Sequence, residues 1–523
     1  MGAGKVTEST LLDRIKYYFI TSSHIGVAIV RVVRITSFCV TLLVALHVLA
    51  QNPTSIAPST SDAVAHITKS IIENGKAYEY DQHLADDIGP RLTGSRNYQQ
   101  AVQWSVEQFR SLGLENVHTE SFALNAAWEP EINAVGRMIE PHEQTLHLIS
   151  VGWAPSTPAG GIRGKVVLIR NLLLPEMLNE DRDKIRGNIA LIDRSSYSFP
   201  NGLMVGQYFA ALSSLARYGA RAVLVGGGRS ANDVEYGGAA TSDGSIAALP
   251  IARLGREDLQ LLVRLLEKGP VTVEFSYRNR IRTPAQADNV VAEIRGRQLP
   301  DEVVIIGAHL DSVQSGTGAQ DNGAGVASVL DAARAIKASG GVPRRTIRFV
   351  LFGGEEEWEL GSQAYVTKHA AELDKCDAML VTDTGSDTAF GWINNGRDDE
   401  TPALKEFAPV LHEFGGDGIS TDATYLLHSD HTPFYARGVP TLMLWTDMTK
   451  YLQFVHQPGD TFDKVEKDKL AKGTAIVAAT AFLIADSAKS FAARQSQAEV
   501  EETLKKVGQY EGYQDLKKYS EKN

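Results

Sequence analysis

Two kinds of apolar spacing alternate along the chain, and the switches between them mark its organisation. From Asp62 to about Leu114 the spacing is helical: Ile67, Ile71 and Ile72 recur about once per turn, and Ala101, Trp104, Val106 and Phe109 mark one face of NYQQAVQWSVEQFRSLGL. Between these helices IGPRLTGS, Ile88 to Ser95, reads as a turn-rich link, because glycine and proline punctuate elements. From about Gly152 to Asn279 short β-branched runs take over, GKVVLIRN, RGNIALIDRS, RAVLVGGG, LPIARL and VTVEFSYRN, with one amphipathic helix expected near Gly206 to Tyr218. These strands are short and evenly spaced, which implies a small β-rich unit inserted within a larger domain.

After Asn289 strand and helix alternate. Strands are expected at 303–310, 346–353, 378–385 and 440–446, and helices near 325–338, 362–372 and 402–414. That order implies an α/β fold, a mainly parallel sheet with helices on both faces. A last helix near 469–485 carries AIVAATAFLIA, too short an apolar run to span a membrane and suited to burial. The charged tail to Asn523 is expected to be helical at the surface or frayed.

Composition narrows the picture. A chain of 523 residues exceeds what one core accommodates, so two or more units are expected. A net charge of −11 argues against a polyanion-binding surface, and nucleic acid is excluded as a partner. Cys39 and Cys376 cannot make a disulfide framework, since Cys39 lies in an N-terminal apolar run. That run, Ile35 to Gln51, follows RVVR and resembles a signal peptide cleaved after Ala50, with an uncleaved anchor as the alternative. The expected location is therefore outside the cytoplasm, periplasmic or secreted. Asn52 is followed by proline and offers no glycosylation site, which favours a periplasm.

Open α/β sheets carry functional residues at the carboxyl ends of their strands. The first expected strand ends in AHLDS, giving His309 and Asp311, and the glycine-rich loop QSGTGAQDNGAG then brings Asp321 to a helix start. The second ends in GGEEE, the third in TDTG with Asp383, and after the fourth comes FVHQPGDT with His456 and Asp460. Each residue alone has a plain explanation, an N-cap or turn aspartate, a packed histidine, a solvated charge run. Together, imidazole and carboxylate donors at several strand ends suit zinc, and their number suits two metals sharing a bridging carboxylate. Paired metals activate a hydroxide between them, and a further carboxylate can take its proton.

The ordered set AHLDS, DNGAG, GEEEWELGS, the TDTG aspartate, SDHTPF with GVP, and HQPGDT resembles the co-catalytic di-zinc aminopeptidase and glutamate carboxypeptidase family of metallopeptidases. Its IGPRLTGSRN, β-rich insertion and GTGAQDNGAG loop look most like the carboxypeptidase Q branch, over about Asp62 to Ala488. The resemblance implies two Zn2+ per chain: Asp321 bridges them, His309 and Asp383 bind one, and Glu356 and His456 the other. It further implies Glu355 as general base and Asp311 as the carboxylate that orients His309. The implied layout is a signal peptide or anchor over 1–50, a peptidase domain over 51–150 and 281–490, a protease-associated-like domain over 151–280, and a charged tail over 491–523. The implied activity is an exopeptidase acting on short peptides, as dipeptidase, aminopeptidase or carboxypeptidase. The alternatives are an inactive binding protein of the same fold and a single-zinc acyltransferase like the glutaminyl cyclases. Membrane attachment through an uncleaved N-terminus and homodimer formation stay open. The family commonly has glycine where this chain has Trp358.

Overall fold

The computed structural model describes residues 59–520 apart from 171, 173–174, 195–204, 229–231, 235–239 and 242. The apolar run expected to be a signal peptide or anchor lies outside the described residues. No described helix is long and apolar enough to cross a membrane.

Helix Thr60–Asn74 opens the described chain. The Ser59 hydroxyl caps it by accepting from the Asp62 N–H, and Ile67 and Ile71 are buried on its inner face. Helix Arg96–Ser111 starts in the same way, with Ser95 accepting from the Tyr98 N–H. Strand β1 (Glu115–Leu124) follows.

The chain then builds a second sheet from β2 (Ala127–Glu140), β3 (Gln144–Leu146), β4 (Leu148–Ser150), β5 (Ile162–Ile169), β6 (Ile189–Asp193), β7 (Ala222–Gly226), β8 (Ile251–Leu254) and β9 (Thr272–Arg282). The strand order is β3-β2-β9-β5-β6-β7-β8-β4. This sheet begins at Ala127, ahead of the expected 151, because β1 runs into β2 after two residues. Helix Val205–Arg217 buries Leu212 and Leu215 on one of its faces. Helix Arg256–Leu266 buries Leu259 and Leu262 on the other. One helix was expected in this stretch; short helices Pro175–Glu180 and Arg182–Ile185 are additional, and so is the helix formed by REDLQLLVRLL, whose Leu259 and Leu262 stand at i, i+3 behind an acidic first turn.

β10 (Ala285–Ile294) returns the chain to the first sheet, joined by β11 (Leu299–His309), β12 (Arg345–Phe352), β13 (Cys376–Val381), β14 (Ala389–Ile393), β15 (Gly418–Ser420) and β16 (Thr441–Thr446). Its order is β1-β10-β12-β11-β13-β16-β14-β15. The central strands β12, β11, β13 and β16 are parallel, while β1, β10 and β14 pair antiparallel toward the edges. Strand residues alternate between two cores. Val304, Ile306 and Ala308 face helices Ala324–Ala338 and Lys467–Asp486, whereas Val303 and Ile305 face helix Leu360–Lys368 and helix Thr432–Ala436. Parallel direction therefore puts the ends of β11, β12 and β13 on one rim.

As far as residue 520 the tail is helical, the first of the two expectations. Helix Gln497–Lys506 starts at a capping box of Ser496 and Glu499. Its Val500 and Leu504 are fully buried against Ala423, Leu426, Leu427 and Tyr435. Two apolar residues one turn apart decide this, against an otherwise charged sequence.

Candidate metal centre

His309 closes β11, and its neighbours on the rim converge on it. Its Nε2 lies 3.2 Å from Asp383 Oδ1, just past the end of β13, and 3.2 Å from Asp321 Oδ1. The other Asp321 oxygen, Oδ2, lies 3.2 Å from His456 Nε2, which stands 3.0 Å from Glu356 Oε2. Glu355 Oε2 sits 4.0 Å from His309 Nε2, and its side chain is 14% exposed. Among the described residues three groups able to hold an ion result: His309, Asp321 and Asp383; Asp321, Glu356 and His456; and, overlapping both, His309, Glu355 and Glu356.

Local backbone chemistry sets these positions. The Asp460 carboxylate accepts from the N–H groups of Gln320 and Asp321, at 2.7 and 3.1 Å, so it holds the loop rather than joining the cluster. Asp311 is fully buried and accepts from Thr93 Oγ1 at 2.9 Å and from the Glu356 N–H at 3.2 Å. The nearest partner of His309 Nδ1 is the Asp311 carbonyl at 3.1 Å, and the Asp311 carboxylate lies 3.7 Å away.

The glutamate turn is pinned at both ends. Asn289 accepts from the Gly353 N–H and donates to the Gly361 carbonyl, while Thr93 accepts from the Gly354 N–H. A Cβ at Gly361 would lie 2.2 Å from the Gly353 carbonyl oxygen, so only glycine allows this approach. The helix starts at Leu360, two residues before the expected 362. Glu357, in a charge run that on its own would read as a solvated face, is 2% exposed with neither carboxyl oxygen hydrogen-bonded.

Arg91 is also fully buried. Its guanidinium donates to the carbonyls of Leu84, Gly89, Leu310, Thr317 and Gly318, tying the His309 and Asp321 loops to the IGPR link. Arg91, Thr93 and Asn289 were given no role from sequence. The quoted IGPRLTGS was the one available signal for the first two; Asn289 had none.

Electrostatically the cluster is overloaded with acid. Burial opposes charge on His309, yet Asp383 and Glu355 hold its pKa well above the usual imidazole value. Burial likewise opposes charge on His456, and Glu356 and Asp321 raise its pKa. Burial pushes Glu355 and Glu357 well above the carboxylate range. It lifts the nearby Asp430 to about 8. Zinc fits these residues: the donors are imidazole nitrogen and carboxylate oxygen, and the buried Glu356 Oε1 has no hydrogen-bond partner.

Comparison with known proteins gives the same kind of enzyme. Residues 289–481 match the model of peptidase family M28. Carboxypeptidase Q of Mus musculus is 28% identical over 418 residues, 79% of this chain and 86% of its own length. The solved peptidase M28 precursor from Shewanella amazonensis SB2B superposes with a TM-score of 0.72 at 28% identity, covering 84% of this chain and 99% of that one. BSAP, a zinc aminopeptidase from Bacillus subtilis, shares the fold with a TM-score of 0.61 at 21% identity, over 80% of this chain and 97% of its own.

Proposed function

We propose, for a chain that belongs to peptidase family M28 and is a zinc metallopeptidase, an exported exopeptidase that trims short peptides with two zinc ions. His309, Asp321 and Asp383 would hold one ion, and Asp321, Glu356 and His456 the other. One observation carries this reading: the two Asp321 oxygens each face a different imidazole at 3.2 Å, with Asp383 and Glu356 closing the two ends. Bound there, zinc lowers the pKa of water and polarises a peptide carbonyl.

The chain's own groups supply the proton chemistry. Glu355 stands beside His309 with its side chain 14% exposed, and it takes the proton of the attacking water and returns it to the leaving amine. Asp311 holds the backbone N–H groups of Glu355 and Glu356, which fixes the base and the ligand relative to each other. Export rests on the apolar run after RVVR.

Metal analysis of the purified protein with a dipeptide panel tests the proposal. Two zinc ions per chain are expected, and Glu355→Gln should lower turnover about 100- to 10,000-fold with metal content near wild type. Normal turnover in Glu355→Gln rejects the base; one zinc per chain rejects the pair. Cleavage of amidated but not acetylated peptides establishes aminopeptidase action, and the reverse carboxypeptidase action.

A further inference from the structure

Tyr451 stands where the segments carrying three of the proposed ligands meet. It opens the one-turn helix Tyr451–Phe454, and the Val455 N–H donates to its carbonyl at 2.9 Å, which locks it to the approach to His456. Its ring packs on Gly385, two residues past Asp383. A Cβ there would lie 2.9 Å from Tyr451 Cδ2 and 2.6 Å from Oε1 of Gln320, the residue before Asp321. One side chain thus adjoins the segments of Asp321, Asp383 and His456.

Within this group of acids the Tyr451 hydroxyl is a donor without an acceptor. Among the described residues it makes no hydrogen bond, and the residue keeps 8% exposure. Neighbouring donors are committed to the fold: Arg91 to backbone carbonyls, Gln320 to Ser386, and Asn322 to the Thr382 carbonyl. Burial, then Asp321 and Asp383, hold the phenol well above its usual pKa, so it stays protonated. The cluster is rich in acceptors, but peptide hydrolysis creates an anion that no carboxylate can stabilise. When the oxygen of water bonds to a peptide carbonyl carbon, the C=O electron pair moves onto the carbonyl oxygen, and that oxyanion is stabilised by a donor already in place.

We infer that Tyr451 is a catalytic residue, its hydroxyl donating a hydrogen bond to the oxyanion formed at the scissile carbonyl. The inference rests on the peptidase reading above. No proton passes through Tyr451. Glu355 takes the water proton, the electron pair returns to re-form C=O as the C–N bond breaks, and the amine leaves with the proton from Glu355. The phenol keeps its hydrogen throughout.

Tyr451→Phe removes the donor and keeps the ring on Gly385. The variant and the wild type would be compared in kcat and KM for a dipeptide, in the affinity of a phosphinic dipeptide analogue, in zinc content and in Tm. kcat should fall about 100-fold with KM near wild type. The phosphinic analogue, whose tetrahedral oxygens imitate the oxyanion, should bind more weakly by a similar factor, with zinc content and Tm held. An unchanged kcat beside an active wild type overturns the inference alone. So does a loss carried by KM with the analogue unaffected, which marks a wall of the substrate site, and so does lost zinc or a lowered Tm, which marks support of the fold around the metal centre. A wild type that cleaves no peptide overturns the peptidase reading and this inference with it.

Discussion

Three adjacent glutamates of one chemistry meet three environments. Glu355 stands beside His309 and stays partly exposed, Glu356 faces His456, and Glu357 turns into the protein with both oxygens unpartnered. A lone buried carboxylate would be costly, so burial pushes Glu357 toward its neutral form. Arg91 is the converse case, a buried cation whose donors are all directed at carbonyls. Arg91→Leu should cost about 3–5 kcal/mol, since several buried acceptors lose their donor at once. Arg91→Lys should recover only part of this, because an ammonium has three donors and no fork. Urea unfolding measures both, and a loss under about 1 kcal/mol for Arg91→Leu would refute the account.

At the scale of elements, the glutamate turn is framed by β1 and by helix Leu360–Lys368, which meet through Glu120 and His369 at 3.0 Å. Burial opposes the Glu120 charge, but His369 and Lys368 hold its pKa down from 4.5 to about 2. The hydrogen bond to Glu120 raises His369 from 6.5. The lowered carboxylate contributes stability that is present above 4.5 and lost as pH falls toward 2. The raised imidazole contributes stability present below 6.5 and lost as pH rises through its elevated folded value. The pair is thus fully effective between 4.5 and 6.5. Glu120→Gln should flatten both limbs of a plot of Tm against pH; a variant with wild-type curvature would show the contact to be idle. Strand expectations were good where burial on both faces makes the apolar run continuous, as in β11, β12 and β13. Strands β1, β14 and β15 escaped notice: ENVHTESFAL mixes exposed and buried positions, and GIS is only three residues, all half-buried.

For the molecule as a whole, two additions flank the parallel core. β1 continues into β2 and β9 into β10, so a two-stranded ribbon passes from one sheet to the other. The C-terminal helices pack against the segment that leads into Ser429, Asp430 and His431. Leu504→Ala should cost about 2–5 kcal/mol, as for other buried leucines. An unchanged denaturation midpoint would mean the tail contributes nothing to the fold.

The sequence by itself determined the alternation of strands and helices and the rim on which chemistry collects, because those follow from residue order and periodicity; its motifs carried the resemblance to a metallopeptidase family. It also separated the metal-competent residues from the rest as types. Tertiary structure alone decided which carboxylates are buried, that Asp460 holds a loop, that the charged tail docks, and that Trp358 meets a ring some 150 residues earlier in the chain. Burial and long-range contact depend on what the other elements cover, and no local spacing encodes that.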